Sequence, residues 1–463
     1  MIGLAKMPWL DCGIDIGSTN LKVVLVTEQA QMLHSCSVPT PRVHDGLGPV
    51  TDALGLVALV EDMIIEGWDK VGQGTPLRSI AASGVGEDGI AVTADLTPTG
   101  FALPWFDDRA REEARLLQQY SVFPNRAGIA LGPDRTAAKW LWTHRHRPDE
   151  LKRADSWIAL TDFPAASWSG RAFMSASLAP RTACFDIHRR RWIAELMTAT
   201  HAPAMPELLG AGTIVGTVSK GRLLTSGAAS GQTLVVAGGH DHPIAASVIR
   251  RFDPTGIVDS LGTANLIYGE GRSIGGRALD CRLALSLPPD AGDGLAVLGV
   301  LELSAALQAV EAGAADVRSY LSNRTLPGQP PRNIAELDQP QAPLDMRIRR
   351  VLERESFRAR AILDDMASLG VPSGAIYCTG GWARSHGLMK LRASVFGQTV
   401  KVINDMEMSA LGAALFGAKA ATGSLTCNLS NNDIKCVSPS LDWAAHYEAL
   451  YGKGGALARV AQS

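Results

Sequence analysis

The sequence has few cysteines and pairs none of them. Seven occur in 463 residues, and no two have CxxC spacing, which gives no sign of a zinc or dithiol redox site. An odd number of scattered cysteines also argues against a disulfide-stapled secreted domain. We therefore expect reduced thiols and a cytoplasmic location. The seven are Cys12, Cys36, Cys184, Cys281, Cys378, Cys427 and Cys436.

Long apolar runs and a surplus of one charge are also missing. No uninterrupted apolar stretch reaches the roughly 18 residues of a membrane-spanning helix, and the opening MIGLAKMPWL lacks the apolar core of a signal peptide. The formal net charge is -2, so the chain lacks the concentrated positive charge that binds nucleic acid or an anionic membrane. The sequence predicts neither as a partner.

The sequence does contain enough apolar material for two domains. Hydrophobic residues make up 46% of the chain and charged residues 19%, and a chain of this length typically forms domains of about 200 residues. A strand-and-turn pattern restarts after the charged, proline-containing segment RRFDPT at 250–255. We therefore predict domains at 1–250 and 251–463, with a ligand-binding cleft between them.

Strand and helix patterns alternate, which predicts an α/β fold. Apolar runs at 13–16 and 21–27 flank a polar turn and predict a hairpin, while 56–68 has helical apolar spacing. The segment 346–370 predicts a long amphipathic helix ending at Gly370. Because Glu353 and Glu355 interrupt its arginines, we predict a solvated charged face rather than a stripe that binds nucleic acid.

Three glycine-bearing turns beside apolar runs are the most informative feature of the chain. A glycine-rich turn leaves backbone N–H groups free and lets the main chain approach a ligand closely. Together the three predict one nucleotide site assembled from distant segments. They are CGIDIGSTNLKVVLV (12–26), VDSLGTANLIYGEG (258–271) and IYCTGGWARSHG (376–387).

The first turn carries groups that suit a metal-bound triphosphate. Asp15 is well placed to hold Mg²⁺, usually through water, while hydroxyls and a cation meet the phosphate oxygens. For this motif alone, a polar hairpin tip without a ligand is an equally good interpretation. The residues that follow Asp15 in the turn are Gly17, Ser18, Thr19, Asn20 and Lys22.

Asp241 follows a strongly apolar predicted strand in the segment TLVVAGGHDHP. A carboxylate at the carboxyl end of a central strand is a common location for a catalytic group in α/β folds, and here it could accept a proton from a substrate hydroxyl. On position alone, capping of the following helix is favoured about two to one. Metal ligation with His240 and His242 is a weaker third option.

Read together, these motifs resemble the FGGY carbohydrate kinases, the group that includes glycerol kinase, xylulokinase, ribulokinase and L-fuculokinase. GIDIGSTNLKVVLV is similar to the family's first phosphate motif, PWFDDRAREEA to its Trp-x-Asp-x-Arg segment and VVAGGHDHPIAA to its catalytic-aspartate motif. DSLGTAN is similar to the second phosphate motif, and the segment from TGGWARSHG to ALFGA to the adenosine motif and C-terminal signature. The resemblance implies two domains of the actin, hexokinase and Hsp70 class (ribonuclease H-like) with an interdomain cleft.

The resemblance implies ATP and Mg²⁺ as cofactors. Asp15 would organise the metal and phosphates, Asp241 would be the general base close to the metal, and family members are often dimers or tetramers, which suggests a homodimer. The other predicted nucleotide contacts are Gly17, Ser18, Thr19, Asn20 and Lys22 in the first turn, Gly262 and Thr263 in the second, and Gly380, Gly381, Arg384 and Ser385 in the third.

The resemblance also assigns residues to a small sugar or polyol. Paired hydroxyls suit carboxylates as acceptors and the planar fork of arginine as donor. Trp105 could stack on a sugar face, although packing is favoured about two to one. The GVGEDG loop matches neither the xylulokinase nor the glycerol kinase type, so the particular sugar stays open. The predicted substrate contacts are Glu87, Asp88, Trp105, Asp107, Arg109, His240 and Asp241.

The predicted activity is transfer of the γ-phosphoryl group of ATP to a primary hydroxyl of a ketose or polyol. Two alternatives stay open. One is a nucleotide-driven binding protein of the same fold, such as an actin-like filament former or an Hsp70-like chaperone. The other is a sugar sensor without turnover. The acidic GEDG and WFDDR segments argue against the first, and the presence of Asp15 and Asp241 argues against the second.

Overall fold

The structure is a computed structural model that describes residues 9–120, 124–262, 265–274, 283–310, 313–403, 407–424 and 433–453. The chain divides into two compact units. Unit 1 comprises Met1–Arg251, Ala284–Leu295 and Glu407–Asn428, and unit 2 comprises Phe252–Leu283, Ala296–Met406 and Leu429–Ser463. Within the ranges that are described, no helix is long and apolar enough to cross a membrane.

The strands, in chain order, are β1 (Leu10–Ile16), β2 (Asn20–Thr27), β3 (Met32–Pro39), β4 (Val43–His44), β5 (Pro49–Val50), β6 (Ser79–Gly84), β7 (Gly89–Val92), β8 (Ser156–Ala159), β9 (Met174–Ser175), β10 (Phe185–Asp186), β11 (Arg191–Trp192), β12 (Leu208–Leu209), β13 (Ile214–Thr217), β14 (Leu234–His240), β15 (Ile257–Leu261), β16 (Asn265–Gly271), β17 (Ala284–Ser286), β18 (Leu295–Leu301), β19 (Ile376–Thr379), β20 (Val400–Ile403) and β21 (Ile434–Val437).

The α-helices are α1 (Ala53–Val71), α2 (Arg111–Leu117), α3 (Pro124–Ala127), α4 (Thr136–His146), α5 (Pro148–Lys152), α6 (Phe163–Ser169), α7 (Ala194–Ala199), α8 (Arg222–Ser226), α9 (Asp241–Arg250), α10 (Leu303–Gln308), α11 (Ala314–Leu321), α12 (Leu344–Leu369), α13 (His386–Phe396), α14 (Met408–Thr422) and α15 (Leu441–Lys453).

Unit 1 is built on a six-stranded sheet in the order β13-β14-β6-β1-β2-β3. The predicted hairpin is confirmed: β1 and β2 are antiparallel, with Asp15 opposite Lys22. Strand β6 runs parallel to both β1 and β14, so the carboxyl ends of these three strands lie at one edge of the sheet. Asp15 and Asp241 therefore come from neighbouring parts of that edge.

Both faces of this sheet are covered by apolar helices, which explains why its central strands read as near-continuous apolar runs. On one face, Leu56, Val60 and Ile64 of α1 belong to the same buried cluster as Ile14. Helix α1 extends the predicted 56–68 at both ends and begins where the Asp52 carboxylate accepts a hydrogen bond from the Leu54 N–H at 3.1 Å.

The other face of the sheet is covered by α14, and this explains why the division of the chain differs from the continuous domains predicted at 1–250 and 251–463. The first boundary falls after Arg251, but 284–295 and 407–428 return to unit 1. Helix α14 lies so close to β1 that a Cβ at Gly13 would overlap the carbonyl oxygen of Ala410. Small residues at this contact let a distant helix complete the core of unit 1.

Six strands of unit 2 lie side by side in one sheet, in the order β18-β16-β15-β19-β20-β21. Strands β15, β19 and β20 are parallel neighbours, while β15 and β16 form an antiparallel hairpin. Helix α12 ends at Gly370, whose φ of +104° is the left-handed conformation that favours glycine. The predicted end of this helix is thereby confirmed.

The solvated face predicted for α12 is wrong. Arg349 and Glu353 are fully buried and joined at 2.8 Å, and Glu353 also accepts hydrogen bonds from Arg350 and the Tyr447 hydroxyl, both at 2.7 Å. Glu355, likewise buried, is paired with Arg358 at 2.8 Å. The charges compensate one another inside unit 2, because a buried ion needs both an opposite charge and hydrogen bonds.

Candidate active site

The turn after β1 is closed by its own backbone and tied to the chain that follows β3. The Gly17 N–H donates to the Asn20 carbonyl at 3.1 Å, and a Cβ at Gly17 would lie 2.7 Å from that same oxygen. Thr40 then binds the turn twice: its hydroxyl donates to the Gly17 carbonyl at 2.6 Å, and its N–H donates to the Thr19 carbonyl at 2.9 Å. The turn is therefore fixed from its carbonyl side.

Asp15 is a buried carboxylate with unused hydrogen-bonding capacity. Its Oδ1 has no partner, and its Oδ2 lies 3.8 Å from the Lys22 ammonium. That ammonium is held more closely by Glu407, at 2.6 Å. Burial and the nearby charge of Asp241 raise the pKa of Asp15 to about 7. Two carboxylates that repel each other in a buried setting favour a cation, or a proton, between them.

Asp241 is the first residue of α9, directly after β14. The β14–β6 register shifts between Val236 and Gly239, and a Cβ at Gly238 would overlap the Ala82 carbonyl oxygen. The Asp241 Oδ1 accepts a hydrogen bond from the His242 N–H at 2.7 Å, but Asp241 lies inside the helix, whose N-cap position belongs to His240 and has no side-chain cap hydrogen bond. The side chain is 23% exposed, so the carboxylate is only partly buried.

His240 supports Asp241 from the buried side. The ring Nε2 of His240 lies 3.3 Å from the Asp241 Oδ1, and the backbone N–H of His240 donates to the Ser177 hydroxyl at 3.0 Å. Burial and the positive charge of Arg181 hold the pKa of His240 well below its usual range. A neutral imidazole can donate one hydrogen bond to Asp241, and its Nδ1 has no partner inside the protein.

The HDH run does not build a metal centre. His242 Nε2 is 3.6 Å from the Asp241 Oδ1, and in the part of the chain that the structure describes no group of three His, Cys, Asp or Glu side chains could hold an ion. Mg²⁺, however, commonly uses one or two carboxylates, several waters and the substrate phosphates. The unpartnered Oδ1 of Asp15 and its closeness to Asp241 fit such a water-mediated ion.

The two acidic residues of the GVGEDG loop have different surroundings. The Glu87 Oε1 accepts hydrogen bonds from Arg135 and from Arg181, whose Nε lies at 2.9 Å. Burial opposes ionisation of Glu87, but Arg181 and Arg135 outweigh it and lower the pKa below its usual value. The carboxylate of Glu87 is therefore a fixed anion that orients two cations.

Asp88 is the loop residue with an open acceptor. Its Oδ1 accepts a hydrogen bond from the backbone N–H of Trp105 at 2.7 Å, whereas its buried Oδ2 has no partner. Burial raises the pKa of Asp88 to about 6, although Lys139 and Arg42 counteract it. An oxygen of this kind is suited to accept a hydrogen bond from a ligand hydroxyl.

The Trp-x-Asp-x-Arg segment contains a partly exposed tryptophan and an arginine that is paired with two carboxylates. Trp105 is 40% exposed and meets the Phe106 ring edge to face with centroids 5.9 Å apart, so it is partly packed, and stacking on a sugar stays a prediction. Arg109 is bonded to Asp107 at 2.7 Å and to Asp45 at 2.6 Å. Contact of a sugar with Asp107 or Arg109 stays a prediction.

Unit 2 brings the second and third glycine turns together. A Cβ at Gly380, whose φ is +89°, would lie 2.7 Å from the Leu261 carbonyl oxygen and 3.2 Å from the Gly262 nitrogen. Gly381 faces open space. The Ser385 hydroxyl caps α13 by accepting the Leu388 N–H at 3.2 Å. Thr263 lies outside the described residues, and the adenosine contacts, including Arg384, stay predictions.

Comparison with known proteins agrees with the motifs. The profile of the FGGY family of carbohydrate kinases matches its N-terminal domain to residues 10–247 and its C-terminal domain to residues 289–421. The chain belongs to the FGGY family. Among curated relatives, xylulose kinase of Klebsiella pneumoniae is 26% identical over 264 residues, which is 55% of this chain and 53% of that protein. The chain thus spans about half the length of this relative.

Another curated relative, autoinducer-2 kinase of Enterobacter sp. (strain 638), is 32% identical over 101 residues, covering 21% of this chain and 19% of the relative. Solved structures agree over nearly whole chains. Xylulose kinase from Rhodospirillum rubrum has a TM-score of 0.80 at 18% identity and covers 97% of this chain and 98% of its own. Gluconate kinase from Lactobacillus acidophilus has a TM-score of 0.81 at 15% identity, covering 98% of both chains. The predicted α/β fold of the two-domain actin and hexokinase class is confirmed.

Several residues of this FGGY site were not found from the sequence. Arg135 and Arg181 pair with Glu87. Lys139 is buried and donates to the Pro104 carbonyl beside Asp88. Arg42 and Glu407 contact the first turn region. None of the four cations lies in a motif that carries the resemblance, and an isolated Arg or Lys carries no signal of its partner. Glu407 lies within the segment similar to the C-terminal signature, but it was assigned no role there.

Proposed function

We propose that this FGGY protein transfers the γ-phosphoryl group of ATP to a hydroxyl of a small sugar or polyol. The observation that carries the proposal is the placement of Asp15 and Asp241. They lie at one sheet edge, close enough for their charges to interact, with one free oxygen on Asp15 and a partly exposed carboxylate on Asp241.

Asp241 is the general base of the proposed reaction. Its carboxylate accepts the proton of the attacking hydroxyl while the hydroxyl oxygen forms a bond to the γ-phosphorus. The bond from that phosphorus to the β–γ bridging oxygen breaks, and ADP leaves. Neutral His240, with Nε2 3.3 Å from Asp241 Oδ1, keeps the base oriented without neutralising it.

Asp15 and the turn Gly17–Thr19 receive the phosphates in this proposal, together with Lys22. Asp15 would hold Mg²⁺ through water, and the ion would supply positive charge beside the phosphate oxygens. The carbonyls of Gly17 and Thr19 are already bound by Thr40, so amide N–H groups on the other side of the turn are left for phosphate oxygens.

The acceptor is proposed to be a ketose or polyol that presents a primary hydroxyl. Asp88 has a buried carboxylate oxygen without a partner, and its other oxygen accepts the backbone N–H of Trp105, a partly exposed residue. Such a pair suits the two sides of a sugar, which carries hydroxyls at its edge and C–H groups on its face. A curated relative of the chain is named xylulose kinase, and a five-carbon ketose is therefore included among the acceptors proposed. The free cysteines among the described residues suit a reducing, cytoplasmic setting.

A coupled ADP-release assay across pentuloses, hexuloses, polyols and aldonates tests the proposal. Substrate-dependent ADP formation supports a kinase. ATP hydrolysis that depends on polymerisation or on added peptide instead supports a nucleotide-driven binding protein, and sugar binding without ADP formation supports a sensor. Either of the latter results overturns the proposed function.

A further inference from the structure

Arg42 contacts the phosphate turn and the proposed sugar region at once. It follows β3 in the segment that carries Thr40. One terminal nitrogen donates to the Ser18 carbonyl at 3.1 Å, and the other donates to the Thr51 hydroxyl. The guanidinium carbon lies 5.3 Å from the centre of the Phe106 ring. The resemblance assigned this residue no role.

On the turn side, Arg42 fixes the direction of a peptide plane. In a trans peptide the carbonyl and the following N–H point in opposite directions. Holding the Ser18 carbonyl toward Arg42 therefore directs the Thr19 N–H away from it. Thr40 acts in the same way: its hydroxyl holds the Gly17 carbonyl, and the following Ser18 N–H therefore points away from Thr40. These are amides that a phosphate would use.

On the sugar side, the same guanidinium lies against the segment that binds Asp88. Phe106 is adjacent to Trp105, whose N–H donates to the Asp88 Oδ1 at 2.7 Å. The positive charge of Arg42 also acts to lower the pKa of Asp88. A ligand that stacks on Trp105 would change the packing of the neighbouring Phe106 ring against Arg42. A ligand that donates to the unpartnered Oδ2 of Asp88 would change the electrostatic interaction between Asp88 and Arg42.

We propose that Arg42 is a positioning residue that couples sugar binding at Asp88 and Trp105 to the orientation of the Gly17–Thr19 turn. The nucleotide then binds more tightly after the sugar is in place. Such coupling keeps ATP from being aligned with water before an acceptor is present. This inference rests on the proposed function.

The test is the coupling between two ligands measured by calorimetry on the full chain. The dissociation constant of the ATP analogue AMP-PNP with Mg²⁺ is measured with and without the sugar that gives the fastest ADP release. Wild type is expected to bind AMP-PNP about 5- to 100-fold more tightly with sugar, the usual range for such coupling. Arg42→Gln is expected to reduce this factor below about 2, and Arg42→Lys to retain part of it.

Arg171→Gln is the matched control, because Arg171 also joins a carbonyl, that of Val215 at 3.2 Å, to a side chain, Glu207 at 2.6 Å. It should leave the coupling at the wild-type value. Wild-type coupling in Arg42→Gln overturns the proposal, as does a wild type without coupling. If Arg42→Gln does not fold, full coupling in Arg42→Lys overturns it and reduced coupling supports it. Failure of the proposed function shows separately, as absence of ADP release in wild type.

Discussion

Replacement of Asp15 by Asn should stabilise the protein at alkaline pH while impairing use of the nucleotide. Burial and Asp241 raise the pKa of Asp15 from 3.8 to about 7. Between these values the folded protein binds more protons than the unfolded chain, so stability falls as pH rises from about 4 to about 7. Each unit of pKa corresponds to about 1.36 kcal/mol. The charged carboxylate thus opposes folding at pH 8 by on the order of 4 kcal/mol, which the neutral amide removes.

Thermal unfolding of wild type and Asp15→Asn at pH 5, 6, 7 and 8 measures this effect. We expect a higher midpoint for the variant at pH 8, by several degrees, and a gain less than half as large at pH 5, where Asp15 is still protonated in the folded protein and ionises only in the unfolded chain. Glu66→Gln, in an exposed pair with Lys70 at 2.5 Å, is the control and should change little at any pH. A variant that is no more stable than wild type at pH 8, or a gain that is independent of pH, contradicts the proposed burial of this charge.

Three further predictions follow from the same geometry. Asp241→Asn should lower kcat by about 10²-fold or more, the usual effect of losing a general base, with AMP-PNP affinity retained in calorimetry; near-normal turnover refutes the assignment. Gly238→Ala should reduce the yield and thermal midpoint because its Cβ would meet the Ala82 carbonyl, whereas Gly231→Ala, with nothing within 4 Å, should behave as wild type. Glu87→Ala should destabilise unit 1 by about 3–5 kcal/mol, since two arginines lose their buried counter-charge; equal denaturation midpoints would speak against a fixed anion there.

The parts of the fold that depend on local pattern were predictable from sequence. The β1–β2 hairpin and the end of α12 at Gly370 follow from apolar runs, turn residues and glycine conformation. The return of α14 to unit 1 was not predictable, because it depends on a tight contact between Gly13 and Ala410, almost four hundred residues apart in sequence. The burial of charges on α12 was missed for a similar reason, since Tyr447 comes from a remote helix.

In the candidate site, too, the sequence indicated which segments take part but not which contacts their side chains make. Asp15 and Asp241 carried motif signals, and parallel strands bring their segments to one sheet edge. The roles within the sugar loop could not be separated by sequence, since Glu87 and Asp88 are adjacent and both acidic. Only the contacts distinguish them: two arginines bind Oε1 of Glu87, whereas the buried Oδ2 of Asp88 has no partner. Arg109 looked available for a sugar, yet it is bonded to Asp45 and Asp107.

The most direct test of the central claim is ³¹P NMR of the protein incubated with ATP, Mg²⁺ and each sugar of the panel. The account predicts, for at least one small sugar or polyol, a new phosphomonoester resonance that grows in step with ADP and is absent with Asp241→Asn. ADP accompanied only by inorganic phosphate, or a phosphomonoester formed equally well by Asp241→Asn, would contradict it.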